Sequence, residues 1–219
     1  MQQEIFVDDS LDPAVRGFLH TPAVATGDAL ILTHGAGSNC SAPLLVAVSE
    51  TFAAHGYTVL RCDLPFRQLR RTGPPFPGNA ERDREGLRSA VAALQKRLAG
   101  RVFLGGHSYG GRQATMVSAA EPNLVDGLLL LSYPLHPPRK PDQLRIQHLP
   151  NLRAASLFVQ GTRDPFGSID EMRSALALVP AKNDLLVVEG AGHDLGFKGR
   201  NQDAELPAHI VAAFQRFRN

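Results

Sequence analysis

Arg101-Val102-Phe103-Leu104-Gly105-Gly106-His107-Ser108-Tyr109-Gly110-Gly111 carries the strongest structural signal in the chain. A short apolar run ends in Gly-His-Ser-Tyr-Gly, and Arg112-Gln113-Ala114-Thr115-Met116-Val117-Ser118-Ala119-Ala120 then reads as a helix. A strand, a tight turn with Ser108 at its tip and a helix are the context that a G-x-S-x-G nucleophile elbow requires. Ser108 is expected in a strained backbone conformation, with Gly106 and Gly110 letting strand and helix approach without a Cβ between them. The Ser108 hydroxyl would point out over the C-terminal edge of a sheet. The Tyr109 N–H, opening the helix, would face the same space. The pentapeptide alone is a weak signal; the strand before it and the helix after it give it weight. The plain alternative is an ordinary strand–helix turn with an incidental serine.

Outward from that stretch, size and composition set bounds. The chain has 219 residues, 43% of them hydrophobic, enough for one substantial core, so residues 1–219 are read as a single domain. Lys and Arg number 23 against 21 Asp and Glu, a net charge of +2 that makes no general case for nucleic acid or a membrane surface. Met1-Gln2-Gln3-Glu4 lacks the basic and apolar segments of a secretory signal, and no apolar run approaches membrane-spanning length. Cys40 and Cys62 are the two cysteines, which fits a reducing compartment, and the cytoplasm is the expected location. The histidines form neither an H-x-x-x-H nor an H-E-x-x-H pair, so no metal is expected. The glycine-rich stretch matches neither G-x-x-x-x-G-K-[ST] nor G-x-G-x-x-G, so no cofactor is expected either.

Along the chain, Glu4–Val7 and Val15–Leu19 read as an antiparallel edge hairpin joined by polar turn residues. Ala29–Thr33, Tyr57–Cys62, Gly127–Ser132, Ala155–Gln160 and Asp184–Glu189 are apolar runs without strict polar alternation, as expected of strands covered by helices on both faces. Apolar positions at helical spacing lie over Pro43–His55, with Ser41 as N-cap, then from Ala80 onward, through Ile169–Val179, and over Pro207–Phe217. Three prolines lead us to read Arg67–Gly78 as a long loop, and four prolines within residues 134–141 lead us to read Tyr133–Asn151 as loop with at most a short helical turn. Alternating strands and helices predict a doubly wound, mostly parallel eight-stranded sheet with helices on both faces. No insertion is long enough for a cap domain.

Chemistry-bearing residues gather just past strand C-termini, where open α/β sheets form their crevice. Ser108, Asp164 and His193 each end a different strand, in the chain order nucleophile, acid, histidine. His193 would take the Ser108 proton, while Asp164 would fix its tautomer and orientation. Asp170 is the alternative acid. Surface-loop and helix-capping roles are the plain readings of His193 and Asp164. His34-Gly35-Ala36-Gly37 follows the first interior strand, so the Ala36 and Tyr109 N–H groups are the expected oxyanion donors. His34 is expected to buttress that loop, and His107 to point away from Ser108. Phe66, Tyr133, Leu135 and Phe166 follow strand ends and are candidates to line an apolar acyl pocket, or equally to anchor loops in the core. Arg70 and Arg71, with Arg67, Arg139 and Lys140, are candidates for a basic mouth favouring acidic acyl groups, or for plain surface charge.

Together, the elbow, His34-Gly35-Ala36-Gly37, Gly161-Thr162-Arg163-Asp164 and Gly192-His193 resemble the α/β-hydrolase superfamily over nearly the whole chain. A narrower resemblance runs through Leu60-Arg61 to Pro65-Phe66 with Arg70-Arg71, through Leu104–Ser108 and Leu131–Pro138, and through Leu157–Asp164. It is to the small capless group that includes the testis-expressed protein 30-like proteins. The dienelactone hydrolases are a broader neighbour, usually with cysteine where this chain has Ser108. The resemblance implies a serine hydrolase acting on an ester or related small acyl substrate. Because the narrower group includes a subunit of a chromatin-modifying complex, a catalytically silent scaffold is the alternative. An acyltransferase using the same residues is a third reading.

Overall fold

Eight strands form one sheet in the order β1-β2-β4-β3-β5-β6-β7-β8. They are β1 (Gln2–Asp8), β2 (Val15–Thr21), β3 (Ala29–Thr33), β4 (Thr58–Cys62), β5 (Val102–His107), β6 (Gly127–Leu131), β7 (Ser156–Gly161) and β8 (Asn183–Val188). The computed structural model describes residues 1–197 and 204–218. β1 and β2 pair antiparallel, and β2 meets β4 antiparallel; every other pairing is parallel. The helices are α1 (Pro43–Ala54), α2 (Pro65–Leu69), α3 (Ala80–Gln95), α4 (Tyr109–Ala120), α5 (Ile169–Leu176) and α6 (Leu206–Arg218).

Both faces of the central strands are buried, which explains their apolar runs. In β3, Ile31 packs into the core under α3, α4 and α5, while its neighbours Leu30 and Leu32 pack into the core under α1 and α6. The chain leaves β3 by α1 toward β4, then returns by α3 across the opposite face to β5. Right-handed crossovers require that change of face when the direction reverses. The reversal leaves the ends of β3 and β5 facing a common crevice. Residues 34–37 and Ser108 sit at those two ends.

Two local expectations are corrected. The segment read as loop from Arg67 begins inside α2, one turn opened by Pro65, whose missing N–H costs nothing at a first helical position. Ser41 does not cap α1: the flanking residue is Ala42 with no side-chain cap, and the Ser41 N–H instead donates to Asn39 Oδ1 at 2.8 Å. Between β6 and β7 lies loop with a single 3-10 turn at Leu149–Asn151. Among the described residues, no helical insertion covers the C-terminal edge of the sheet. No helix there is long and apolar enough to cross a membrane.

Candidate active site

Ser108 occupies a left-handed backbone conformation, φ 52°, between β5 and α4. For a residue with a side chain this costs on the order of 1–3 kcal/mol and persists only where packing enforces it. The enforcement is visible. A Cβ on Gly106 would stand 2.5 Å from the Thr33 carbonyl oxygen, and one on Gly110 would stand 2.7 Å from the His34 carbonyl oxygen. The Ser108 N–H donates to Leu131 O at 2.8 Å, and the Gly110 N–H to His34 O at 3.2 Å. The turn is thereby stitched to β6 on one side and to the loop after β3 on the other.

Three side chains from three strand ends meet there. His193 Nε2 lies 2.8 Å from Ser108 Oγ, and His193 Nδ1 lies 2.8 Å from Asp164 Oδ2. The Asp164 side chain is fully buried, and its other oxygen accepts the Phe166 N–H at 2.9 Å. That bond brings the Phe166 ring onto His193, stacked at a 4.1 Å centroid separation. Asp170, the alternative acid, is exposed on α5 and bonded to Arg173. His107 Nε2 donates to the His193 carbonyl at 2.7 Å, away from Ser108 Oγ. Burial pushes the His107 imidazole down to about 4, so it remains a neutral strut near pH 7. A hydroxyl, an imidazole and a carboxylate in line can move a proton from oxygen to nitrogen and hold the resulting charge.

The loop after β3 is held by buried side chains. His34 is wholly buried; its Nδ1 donates to Gly35 O at 2.8 Å and its Nε2 accepts the Leu64 N–H at 3.1 Å. Burial lowers its pKa, and that Nε2 lone pair is already committed, so the nearby Asp63 carboxylate does not make it an ion pair. Arg67 is the larger surprise. Its buried guanidinium donates to Ser38 O at 2.6 Å, Ala36 O at 2.9 Å, Arg70 O at 3.0 Å and Gly73 O at 2.9 Å. It clamps the 36–38 loop to the 65–73 segment and is not a mouth cation. Ala36 and Tyr109 both face the cavity, and among the described residues neither backbone N–H donates to a protein acceptor. The Tyr109 phenol donates to Asp83 Oδ2 at 2.7 Å, and Asp83 Oδ1 accepts the Phe66 N–H at 3.0 Å.

A cavity of about 930 Å³ opens over Ser108. Of the four apolar candidates, Phe166 lines it and Phe66, Tyr133 and Leu135 do not. Phe66 is core, edge-on to His34 and Tyr109. Tyr133 and Leu135 are also buried, one layer behind Pro134, which does reach the cavity. The apolar wall comes instead from Pro43, Leu44 and Leu45 of α1 and from Phe197. Arg70 and Arg71 are also elsewhere: Arg70 lies over the Phe76 ring and bonds to the Thr72 and Pro74 carbonyls, and Arg71 is exposed. The cations that line the cavity are Arg112 and Arg145. Arg112 was legible in principle, four residues after Ser108 in the first turn of the helix. Arg145, inside an irregular loop, carried no local signal. Among the described residues, no group of three or more His, Cys, Asp or Glu side chains could hold a metal ion.

A mostly parallel sheet wound on both faces, with a sharply turned serine and an aligned histidine and aspartate above its C-terminal edge, defines the α/β-hydrolase class. The family model for the alpha/beta hydrolase domain matches residues 26–218, and the chain belongs to that family. Solved structures agree in fold. A dienelactone hydrolase from Anabaena variabilis superposes with a TM-score of 0.77 at 21% identity, covering 98% of this chain and 97% of that one. An alpha-beta serine hydrolase homologue from Coxiella burnetii gives 0.76 at 15% identity, covering 97% and 98%. A serine hydrolase without lid from Xanthomonas campestris gives 0.75 at 15% identity, covering 99% and 95%.

Proposed function

We propose that the protein is a serine hydrolase of small acyl esters, working through Ser108, His193 and Asp164. The observation that carries this is the unbroken line from Ser108 Oγ through His193 to Asp164, with both links at 2.8 Å, on the floor of the cavity. Ser108 Oγ attacks the acyl carbonyl as His193 Nε2 takes its proton. Asp164 holds the Nδ1 hydrogen and stabilises the imidazolium. The Ala36 and Tyr109 N–H groups receive the oxyanion, each such donor being worth about 3 kcal/mol in the transition state. The imidazolium returns the proton to the leaving alcohol, and the acyl group stays on Ser108. His193 then deprotonates a water, which attacks the acyl-enzyme and regenerates Ser108. An alcohol in place of that water would make the same machinery an acyltransferase.

We further propose that the 219 residues are one domain, that the chain falls in the capless group of testis-expressed protein 30-like proteins, and that it is cytoplasmic. The unpaired, buried Cys40 and Cys62 support the location. Hydrolysis of a p-nitrophenyl, lactone, thioester and peptide panel by wild type and by Ser108→Ala, with matched circular dichroism spectra, tests the activity. Turnover by wild type that is lost in the variant is the expected result. A folded wild type that cleaves nothing in the panel would favour the scaffold reading.

A further inference from the structure

We propose that the cavity recognises esters bearing a carboxylate, which seats between Arg112 and Arg145 beside Ser108. This rests on the hydrolase reading of the same site and names its substrate class. Arg112 is in the first turn of α4, its N–H bonded to Ser108 O at 2.9 Å. Helical side chains lean toward the N-terminus, so the guanidinium reaches back along the serine side of the helix into the cavity. Other arginines show what a structural guanidinium does in this fold. Arg67 spends its donors on four carbonyls, and Arg61 on His20, Cys40 O and Gln3. Arg84 and Arg88 pair with Glu81, and Arg88 also pairs with Glu121. Arg112, by contrast, makes no side-chain hydrogen bond or ion pair among the described residues, although its Nε is fully buried. Arg145 has one bond, Nη1 to Pro134 O at 3.2 Å, and no acidic partner. Asp194 is the one carboxylate among the described residues that line the cavity; its Oδ1 accepts the Gly196 N–H, and it pairs with neither arginine.

Both cations are anchored to the same buried hub. Thr115 Oγ1 donates to Arg112 O at 2.8 Å and accepts from His148 Nε2 at 2.8 Å. The Tyr133 hydroxyl donates to Arg145 O at 2.8 Å, and the Arg145 N–H donates to Leu135 O at 2.8 Å. Burial, then the charges of Arg112 and Arg84, push His148 down to about 4, so the hub adds no third positive charge near pH 7. Burial and the charge of Arg112 likewise lower the Arg145 guanidinium. Two like charges held together in a part-apolar cavity are unfavourable unless an anion comes between them. A guanidinium presents a planar fork of donors that matches a carboxylate in two bonds.

The test is selectivity. Mono-4-nitrophenyl glutarate carries the carboxylate on the acyl side and 4-acetoxybenzoate on the alcohol side; each is compared with its methyl ester by kcat/KM. Wild type is expected to favour one of the carboxylates by about tenfold or more, and Arg112→Gln and Arg145→Gln each to remove about that much of the preference, the scale of a charge-assisted hydrogen bond. Arg112→Lys and Arg145→Lys, which keep the charge, should retain part of it. Methyl esters cleaved as well as both carboxylates would overturn the anion site and leave the hydrolase reading standing. If no ester is cleaved, calorimetric titration of glutarate into Ser108→Ala decides. Binding that is lost on adding Arg112→Gln supports the site, and no binding overturns it.

Discussion

Gly110→Ala places a methyl group where the sharp turn brings two backbones together. The added Cβ would lie 2.6 Å from Thr33 Cγ2 and 2.7 Å from the His34 carbonyl oxygen. The Thr33 methyl could rotate away, but the carbonyl is backbone and already accepts the Gly110 N–H at 3.2 Å. Relief therefore requires strand end and helix to separate by several tenths of an ångström. Overpacking of this kind costs about 1–3 kcal/mol, offset by up to ~1 kcal/mol from the better helix propensity of alanine. The net loss is on the order of 1–2 kcal/mol, which for a chain of this length lowers Tm by roughly 2–8 °C. Gly110→Val, with a branched side chain, should lose more. Thermal melts followed by circular dichroism give the measurement. Gly78→Ala is the control, because nothing lies within 4 Å of its added Cβ. If the two variants melt together, within about 1 °C of wild type, the close approach that sets the Ser108 conformation is not there.

Other consequences are as direct. Asp164→Asn should fold normally yet lose about four orders of magnitude in turnover, since an amide at that position favours the wrong histidine tautomer; turnover within tenfold of wild type would remove Asp164 from the acid role. His193→Ala should be comparably inactive, with an unchanged circular dichroism spectrum. Tyr109→Phe deprives the buried Asp83 carboxylate of its 2.7 Å partner and should cost about 1–3 kcal/mol, read as a lower Tm. His20, His107 and His148 are each held at about 4 by burial, against an ordinary 6.5. The unfolded chain binds those protons first, so this contribution to stability is complete above pH 6.5 and is lost as pH falls toward 4. Melts between pH 7 and 4 should show that decline, and a flat profile would mean the three imidazoles titrate normally when folded.

Much of this arrangement could be read from the chain because strand ends announce themselves. Apolar runs closing in Gly-His-Ser-Tyr-Gly, Gly-Thr-Arg-Asp-Pro and Gly-Ala-Gly-His put Ser108, Asp164 and His193 at three strand ends along one edge of a sheet. Parallel topology then brings such ends together. Side-chain direction beyond a strand end is a different matter. Phe66, Tyr133, Leu135 and Phe166 have equivalent sequence positions, yet only Phe166 turns toward the cavity, drawn by the bond from its N–H to Asp164. Arg67 and Arg70 share a loop-like, proline-flanked context with surface residues; the four carbonyls that bury Arg67 come from segments up to 31 residues away, beyond any local pattern. Arg145 likewise owes its place to Tyr133 and Leu135, through bonds that no spacing rule encodes.

Reaction with a fluorophosphonate, followed by intact-mass analysis and peptide mapping, reads out whether Ser108 is an activated nucleophile and needs no knowledge of the substrate. The wild-type protein should take up one phosphonyl group, mapped to Ser108. Ser108→Ala should take up none, and His193→Ala should react far more slowly. A folded wild-type protein that stays unlabelled, or that is labelled at a residue other than Ser108, would mean that Ser108 is not the nucleophile.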